Sequence, residues 1–374
     1  MKKLFIITGE ASGDAHAAAV VKRLYDMDVD LQIEAIGGRE LKKLNVKLFS
    51  DHSKMSAMGL DLKILFDHYM LGKRLAGYLI NEYKPDLVLM IDYGGFNLNL
   101  SKFLKKAGLK IYYYIPPQIW ASRKWRINTV KKNIDKVMTI FPFEKEMYER
   151  EGIKAEYVGH PLISQLPPPA VHNEFFEKYG LDPAKKLVAI FPGSRQFELR
   201  YLMKVFLKAK NIIEKEYPNV QFVISQAPNL KDEIFRKYFK DADVKVIKGD
   251  NQALLSVADV LMLASGTVAL EAALYKTPMI ISYRGPWIAY LIYRLVRCIE
   301  RVCLPNIIMD KDIVPELLQK DSNPHVIAKN ILRLLKDDKY REEMQEELSK
   351  VHDLLSQEES SRKVAQIISE DLQL

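Results

Sequence analysis

The sequence predicts an α/β protein built as two doubly wound, Rossmann-like domains in tandem. Apolar runs of strand length recur along the chain, each stopping at a small or glycine-bearing turn that opens onto a helical stretch. Pro167-Pro168-Pro169 breaks the series with a stiff, non-helical connector. The strand, glycine turn and helix that open the chain then recur beyond it. At 374 residues there is room for two domains of ordinary size. The expected boundaries are 1–166 for the first domain, 170–324 for the second and 325–374 for charged C-terminal helices.

Taken in order, Leu4-Phe5-Ile6-Ile7 is a buried strand, and Thr8-Gly9-Glu10-Ala11-Ser12-Gly13-Asp14 is a polar glycine loop before an alanine-rich helix. The glycines do not have the G-x-G-x-x-G spacing, and no G-x-x-x-x-G-K-[ST] loop occurs, which weakens a redox or ATP-dependent reading. Ile33-Glu34-Ala35-Ile36 is a second strand. Leu62, Leu65, Phe66, Tyr69 and Met70 then recur at helical spacing. Residues 55–60, MSAMGL, are unusually apolar for a connection; they suit a surface for acyl chains, or ordinary core, or a subunit contact. The run from Asp86 to Ile91 is a buried strand that delivers Asp92 to its carboxyl end, beside Gly94 and Gly95. Ligands bind at that edge of a parallel sheet, so Asp92 is a candidate general base, with capping of the next helix as the alternative. After the strand Lys110-Ile111-Tyr112-Tyr113-Tyr114-Ile115 comes a loop rich in cations and indoles: Trp120, Arg123, Lys124, Trp125 and Arg126, with Lys131 and Lys132 following. It suits an anionic sugar phosphate, RNA, or a solvated basic face. Strands at 137–141 and 155–160 complete the first half.

The second half restarts with Leu187-Val188-Ala189-Ile190-Phe191 and the turn Pro192-Gly193-Ser194-Arg195. Arginine there offers a fixed fork of donors to a diphosphate. Further strands fall at 220–225, 244–247, 260–263 and 279–282. The third of these ends in Ala264-Ser265-Gly266-Thr267 and a helix that runs until Thr277-Pro278. Unpaired N–H groups at that helix start are a seat for phosphate, and Glu271 one turn in can accept both hydroxyls of a ribose. The alternative is an ordinary βαβ turn in which Glu271 complements the helix dipole. Residues 287–301 set Trp287, Ile288, Leu291, Ile292, Leu295 and Ile299 along one side and Arg294, Arg297 and Arg301 along another, as an interfacial helix or a core-facing one would. Leu304-Pro305-Asn306 marks a turn.

A formal charge of +8 and a pI near 9.0 call for an anionic partner without choosing among nucleic acid, phosphorylated substrate and acidic membrane. Cys298 and Cys303, the only cysteines, read as free thiols of a reducing compartment. The N-terminal apolar run is too short for a signal peptide core and no stretch approaches a membrane span, so a cytoplasmic protein is expected. The Asp26/Asp28, Asp28/Asp30 and Asp241/Asp243 pairs fall in surface turns, and no metal site is expected.

Gly9-Glu10-Ala11-Ser12-Gly13-Asp14, Ile91-Asp92 with Phe96-Asn97, Pro192-Gly193-Ser194-Arg195, Ala264-Ser265-Gly266-Thr267 with Leu270-Glu271, and Leu304-Pro305-Asn306 occur in this order. The ordered set resembles lipid-A-disaccharide synthase, over nearly the whole chain. The resemblance implies the GT-B fold, with two Rossmann-like domains facing a cleft, the first on the acceptor and membrane side and the second binding UDP-sugar. It implies transfer of the glucosaminyl group of UDP-2,3-diacylglucosamine to the 6-hydroxyl of 2,3-diacylglucosamine 1-phosphate, releasing UDP, without cofactor or metal. An α-linked donor giving a β-linked disaccharide requires inversion in a single displacement, for which Asp92 is the expected base. The expected donor residues are Gly193, Ser194, Arg195, Ser265, Gly266, Thr267, Glu271 and Asn306; Ser12 and Gly13 are expected on the acceptor side. The implied partners are these two lipids and an anionic membrane surface, with the protein peripheral on the inner face of the inner membrane. Nucleic acid is not implied, and a homo-oligomer is compatible. One departure is Gly94-Gly95, where the family motif carries proline and often a second aspartate. Two other readings stand beside this one: another GT-B UDP-sugar enzyme such as an epimerase, and a basic RNA- or membrane-surface-binding protein without catalysis.

Overall fold

The computed structural model describes residues 1–51, 62–238, 244–287, 290 and 299–374, and of residues 62–65 the backbone only. The apolar connection 55–60, the Asp241/Asp243 pair, Cys298 and most of the expected helix at 287–301 lie outside the described residues.

The chain divides into two compact units, Met1–Ser164 with Leu355–Leu374, and Gln165–Leu354. The first holds seven parallel strands: β1 (Lys2–Ile7), β2 (Leu31–Gly37), β3 (Lys47–Asp51), β4 (Leu87–Ile91), β5 (Ile111–Tyr114), β6 (Lys136–Thr139) and β7 (Ala155–Tyr157). Their order across the sheet is β3-β2-β1-β4-β5-β6-β7. The second holds β8 (Lys186–Phe191), β9 (Val220–Gln226), β10 (Lys245–Lys248), β11 (Val260–Ala264), β12 (Met279–Tyr283) and β13 (Glu316–Leu318), in the order β10-β9-β8-β11-β12-β13. Both sheets therefore reverse strand order once, between β1 and β4 and between β8 and β11. Strands in such sheets are covered on both faces, which is why they read as unbroken apolar runs. Leu87 to Ile91 and Val260 to Leu263 are all fully buried. The two strands that sequence reading passes over, β3 and β13, lie at sheet edges; β13 is only three residues long.

The amino ends of the sheets are stitched by aspartates. Asp86, Asp135 and Asp259 each precede a strand and accept the first N–H groups of the neighbouring one, from Lys3 at 2.8 Å, Ile111 at 2.9 Å and Leu187 at 2.8 Å. Each also meets a lysine: Lys2, Lys105 and Lys186 respectively. With that end committed to structure, the carboxyl ends are left for chemistry.

The C-terminal stretch expected as one group of helices is divided. Helices Pro324–Lys336 and Asp338–Leu355 go with the second unit, whereas Ser360–Leu372 packs on the first helix of the chain, Ala11–Asp26. Lys136 and the Tyr112 hydroxyl both reach Asp371, and Arg23 reaches Glu359. Gly159 admits this return. It has φ +84°, and a Cβ built on it would stand 2.1 Å from the Glu358 carbonyl oxygen. Gly159→Ala combines a left-handed backbone with a backbone clash and should lower stability by about 1–3 kcal/mol. Chemical denaturation followed by circular dichroism reads this directly; an unchanged midpoint would show that the chain end is not held against Gly159.

Candidate active site

The second unit carries a cavity of about 390 Å³ at its strand-order reversal, bounded by the turns after β8 and β11. It brings together Gly193, Ser194, Arg195, Ser265, Gly266, Thr267 and Glu271, and adds Glu198, Ser225 and Asn251, which sequence reading did not single out. The turn after β11 is anchored by the Ser265 N–H on the Ser282 carbonyl at 3.0 Å, and leads into helix Val268–Leu274. Glu271 sits on the first turn of that helix. Its burial raises the carboxyl pKa, and a hydrogen bond to Gln252 opposes the rise.

The turn after β8 differs from expectation in one respect. Gly193 has φ +114°, and a Cβ there would stand 2.2 Å from the Glu198 carboxylate. That carboxylate accepts the N–H groups of Ser194 at 2.8 Å and Arg195 at 3.1 Å. Two backbone N–H groups of a turn expected to meet a diphosphate are thus taken by the chain's own helix start, in the spacing of a capping box. The Arg195 guanidinium is only loosely held, 3.6 Å from Glu198 with 72% of its side chain exposed, so it remains able to meet an anion.

Asn306 does not join the cavity. It is fully buried, donates to the Val314 carbonyl and the Glu316 carboxylate, both at 2.9 Å, and accepts the N–H groups of Ile313 at 2.9 Å and Val314 at 3.0 Å. All four hydrogen-bonding places of its amide are filled, so it braces the loop into β13 and has no place left for a nucleotide. The proline beside it suggested an exposed turn. In the structure Pro305 lies in the first turn of helix Leu304–Met309, whose polar residue Asn306 turns inward.

In the first unit the helix begins at Ala11, so Ser12 and Gly13 lie on its first turn and not in a loop. Ser12 is exposed at the strand ends, whereas Gly13 is buried, where a Cβ would stand 3.3 Å from Thr8 Cβ and 3.8 Å from the Ile91 carbonyl. Asp14, at the end of the same motif, accepts the N–H groups of Gly38 at 2.6 Å and Glu40 at 2.8 Å and is structural.

Asp92 follows β4 with φ +48°, and Tyr93 follows with φ +53°. Two successive non-glycine residues in the left-handed region are strained, and neighbours hold them there. The Asp92 carbonyl accepts from the buried Asn97 amide and from the Tyr113 hydroxyl, both at 2.7 Å. The Tyr93 ring occupies the space over Gly9, where a Cβ would stand 2.1 Å from it. The Asp92 carboxylate opens onto a cavity of about 300 Å³ shared with Gly94, Gln118, Ser122, Arg123 and Arg126. Asp92 is exposed to solvent on that side, and the surrounding chain removes part of the water from its carboxylate. That loss of water raises its pKa, and a hydrogen bond from the Tyr93 N–H offsets the rise only in part. Of the two glycines that depart from the family motif, Gly94 is required by packing, because a Cβ there would stand 2.7 Å from Pro117 Cγ and 3.4 Å from an Arg126 guanidinium nitrogen, whereas a Cβ at Gly95 would meet nothing within 4 Å.

Beside it, helices Leu62–Tyr78 and Gly94–Lys106 enclose a mainly apolar cavity of about 850 Å³, with Tyr69, Tyr93, Phe96 and Phe103 in its walls. Phe66, Tyr69, Met70 and Phe103 are exposed. The Tyr93 hydroxyl is 2.7 Å from His68 Nε2.

Two parallel doubly wound units, each reversing its strand order once, define the GT-B fold class. Solved structures agree on the fold: the S. aureus MnaA-UDP co-structure matches with a TM-score of 0.69 at 16% identity over 100% of this chain and 98% of that one. MurG of Acinetobacter baumannii matches with 0.62 at 15% over 99% and 100%. Within that class the chain belongs to the lipid-A-disaccharide synthetase family, LpxB, whose family model matches residues 4–370; it is a family of glycosyltransferases. Proteins named lipid-A-disaccharide synthase are 35% identical in Coxiella burnetii (strain CbuG_Q212), over 98% of both chains, and 33% identical in Geobacter metallireducens, over 99% of this chain and 97% of that one.

Asn306→Ala leaves buried N–H groups of Ile313 and Val314 without an acceptor and should cost about 2–4 kcal/mol of stability. UDP affinity, measured by calorimetry well below the melting temperature, should stay within a few-fold of wild type. A large loss of affinity with unchanged stability would instead put the side chain on the nucleotide.

Proposed function

We propose that the chain joins UDP-2,3-diacylglucosamine to 2,3-diacylglucosamine 1-phosphate, forming the β-1,6-linked disaccharide 1-phosphate and UDP with inversion. The observation that carries this reading is Asp92: a carboxylate of raised basicity, held by a strained turn at the mouth of a cavity, in a chain of this family. A base must take the proton of the acceptor hydroxyl as the donor bond breaks, and a pKa shifted toward neutrality makes a carboxylate a better one. The leaving UDP gains negative charge. Arg195 and the N–H groups of the Ser265-Gly266-Thr267 turn are proposed to stabilise it, with Glu271 on the ribose hydroxyls. Glu198 narrows this assignment, since the Ser194 and Arg195 N–H groups are already engaged. Gly193 and Ser194 then shape the seat, Arg195 supplies the charge, and Ser12, on the exposed first turn, is left to the acceptor side.

Both lipids carry acyl chains, and the apolar cavity beside Tyr93 is proposed to receive them. Exposed Phe66, Tyr69, Met70 and Phe103, with the net charge of +8, support a peripheral position on an anionic inner-membrane surface. Among the described residues no helix is long and apolar enough to cross a membrane.

UDP release from UDP-2,3-diacylglucosamine, with and without the acceptor lipid, tests the reading. Release should require acceptor and fall about 10²–10⁴-fold in Asp92→Asn, with UDP affinity near wild type. Acceptor-independent release, or unimpaired turnover in the variant, would overturn it. Glu271→Ala should weaken UDP by about 10- to 100-fold, the loss of charged hydrogen bonds to two hydroxyls.

The pH dependence has a fixed sign. Asp92 must be ionised to act, so kcat/KM should fall as pH drops through its raised pKa, placing the acid limb above the ordinary carboxylate range. A carboxyl pKa raised by folding means that the ionised form disfavours the folded state above its unfolded pKa. At neutral pH Asp92→Asn should therefore melt no lower than wild type, which separates loss of the base from loss of the fold. A lower melting temperature would show that the carboxylate contributes to stability.

A further inference from the structure

Arg123 and Arg126 line the Asp92 cavity together. One turn delivers both: the Arg126 N–H donates to the Arg123 carbonyl at 3.0 Å, and Arg123 is held at φ +59°, a conformation that an arginine adopts only under constraint. Arg126 lies against Gly94, the first residue of the 13-residue helix Gly94–Lys106, so a guanidinium and the positive end of a helix converge. Gln118 and Ser122 add neutral hydrogen-bonding groups to the same wall. Among the described residues no carboxylate lies within ion-pair distance of either arginine. Burial and the neighbouring charge of Arg123 both lower the Arg126 pKa, so the pair is held together at a cost. A dianion in the cavity would reverse that cost, and a guanidinium pair matches the geometry of phosphate oxygens.

We propose that Arg123 and Arg126 form a phosphate-monoester subsite that holds the 1-phosphate of the acceptor sugar while Asp92 faces its hydroxyl. This rests on the acceptor reading above. A sugar ring separates the two ends of such a molecule, and the structure separates the groups that would meet them: Asp92 shares the cavity with the arginines without pairing with either, and its pKa is raised, where a close guanidinium would lower it. The pair then acts as a specificity device, positioning the reacting hydroxyl through the far end of the sugar.

The test compares 2,3-diacylglucosamine 1-phosphate with 2,3-diacylglucosamine as acceptors in neutral detergent micelles, for wild type and for Arg123→Gln/Arg126→Gln. Wild type should prefer the phosphorylated acceptor, and the ratio of the two kcat/KM values should fall about 10- to 100-fold in the variant, mostly through KM. Arg126→Lys should recover part of it. A ratio that survives the double substitution overturns the proposal. So does weakened UDP binding, which would give the arginines to the donor, or a loss confined to vesicles of anionic lipid, which would give them to the membrane. If wild type shows no acceptor-dependent release at all, the transferase reading fails instead. The subsite is then judged by calorimetry with glucosamine 1-phosphate against glucosamine: phosphate-dependent binding lost in the double variant upholds it, and its absence in wild type overturns it.

Discussion

A parallel sheet covered on both faces drives charged groups to the ends of its strands, Glu34 within β2 being held there by Lys47 and the Tyr78 hydroxyl, and this constraint arranges the rest of the molecule. At the amino ends, Asp86, Asp135 and Asp259 are used up in accepting backbone N–H groups and lysines. At the carboxyl ends, the reversal of strand order between β8 and β11 parts two loops and opens a space between them, whereas in the first unit the Tyr93 ring fills the space over Gly9 and the Asp92 cavity opens between the loops after β4 and β5. Asp92 comes from the loop after β4, and Arg195 and the Ser265-Gly266-Thr267 turn come from the loops after β8 and β11. Each chemical group thus lies within four residues of the end of a strand whose burial fixes its position.

That placement explains how much of the site could be read from sequence. Groups supplied by a strand end and its turn are local in sequence: the apolar run announces the strand, and the residues after it are the candidates. Seven of the eight donor-side residues so chosen line one cavity. Asn306 does not, because a Leu-Pro-Asn turn and a buried Asn bracing a loop have the same sequence, and only the partners at Ile313, Val314 and Glu316 distinguish them. Glu198 was missed for the converse reason. Its spacing from Arg195 is that of a helix cap, which carries no hint that the cap competes for the donors of a phosphate seat. The fold shows the same division. Central strands are legible as apolar runs, whereas β3 and β13 are edge strands with little burial to mark them. Helix Ser360–Leu372 follows the second unit in sequence but packs on the first, held by pairings to Arg23, Tyr112 and Lys136 that no local pattern announces.

The loop after β1 shows tertiary packing overriding propensity. Ser12 and Gly13 are poor helix residues, yet they form the first turn, where Gly13 packs closely on Thr8 and the Ile91 carbonyl and a Cβ would stand 3.3 Å from Thr8 Cβ. Gly9 leaves room for the Tyr93 ring in the same way. Gly9 and Gly13 of this polar loop are small residues that let β1 and β4 and their loops approach closely enough to hold the Asp92 turn.

The turn itself joins two surfaces of opposite character. Asp92 and Tyr93 are successive residues in the left-handed region, and their side chains part: the carboxylate enters the cavity of Arg123 and Arg126, and the tyrosine enters the apolar cavity of Phe96 and Phe103 and meets His68. In an extended strand, alternate residues also part, but to the two faces of a sheet, where both would be buried. The left-handed turn instead parts them at the sheet's edge, where both remain accessible. A lipid-linked sugar presents the same two characters within one molecule, a polar reacting end and acyl chains fixed to the same ring. A single strained dipeptide, clamped by Asn97 and Tyr113, is therefore sufficient to keep a carboxylate and an apolar wall in constant relation, and the strain is the cost of that relation.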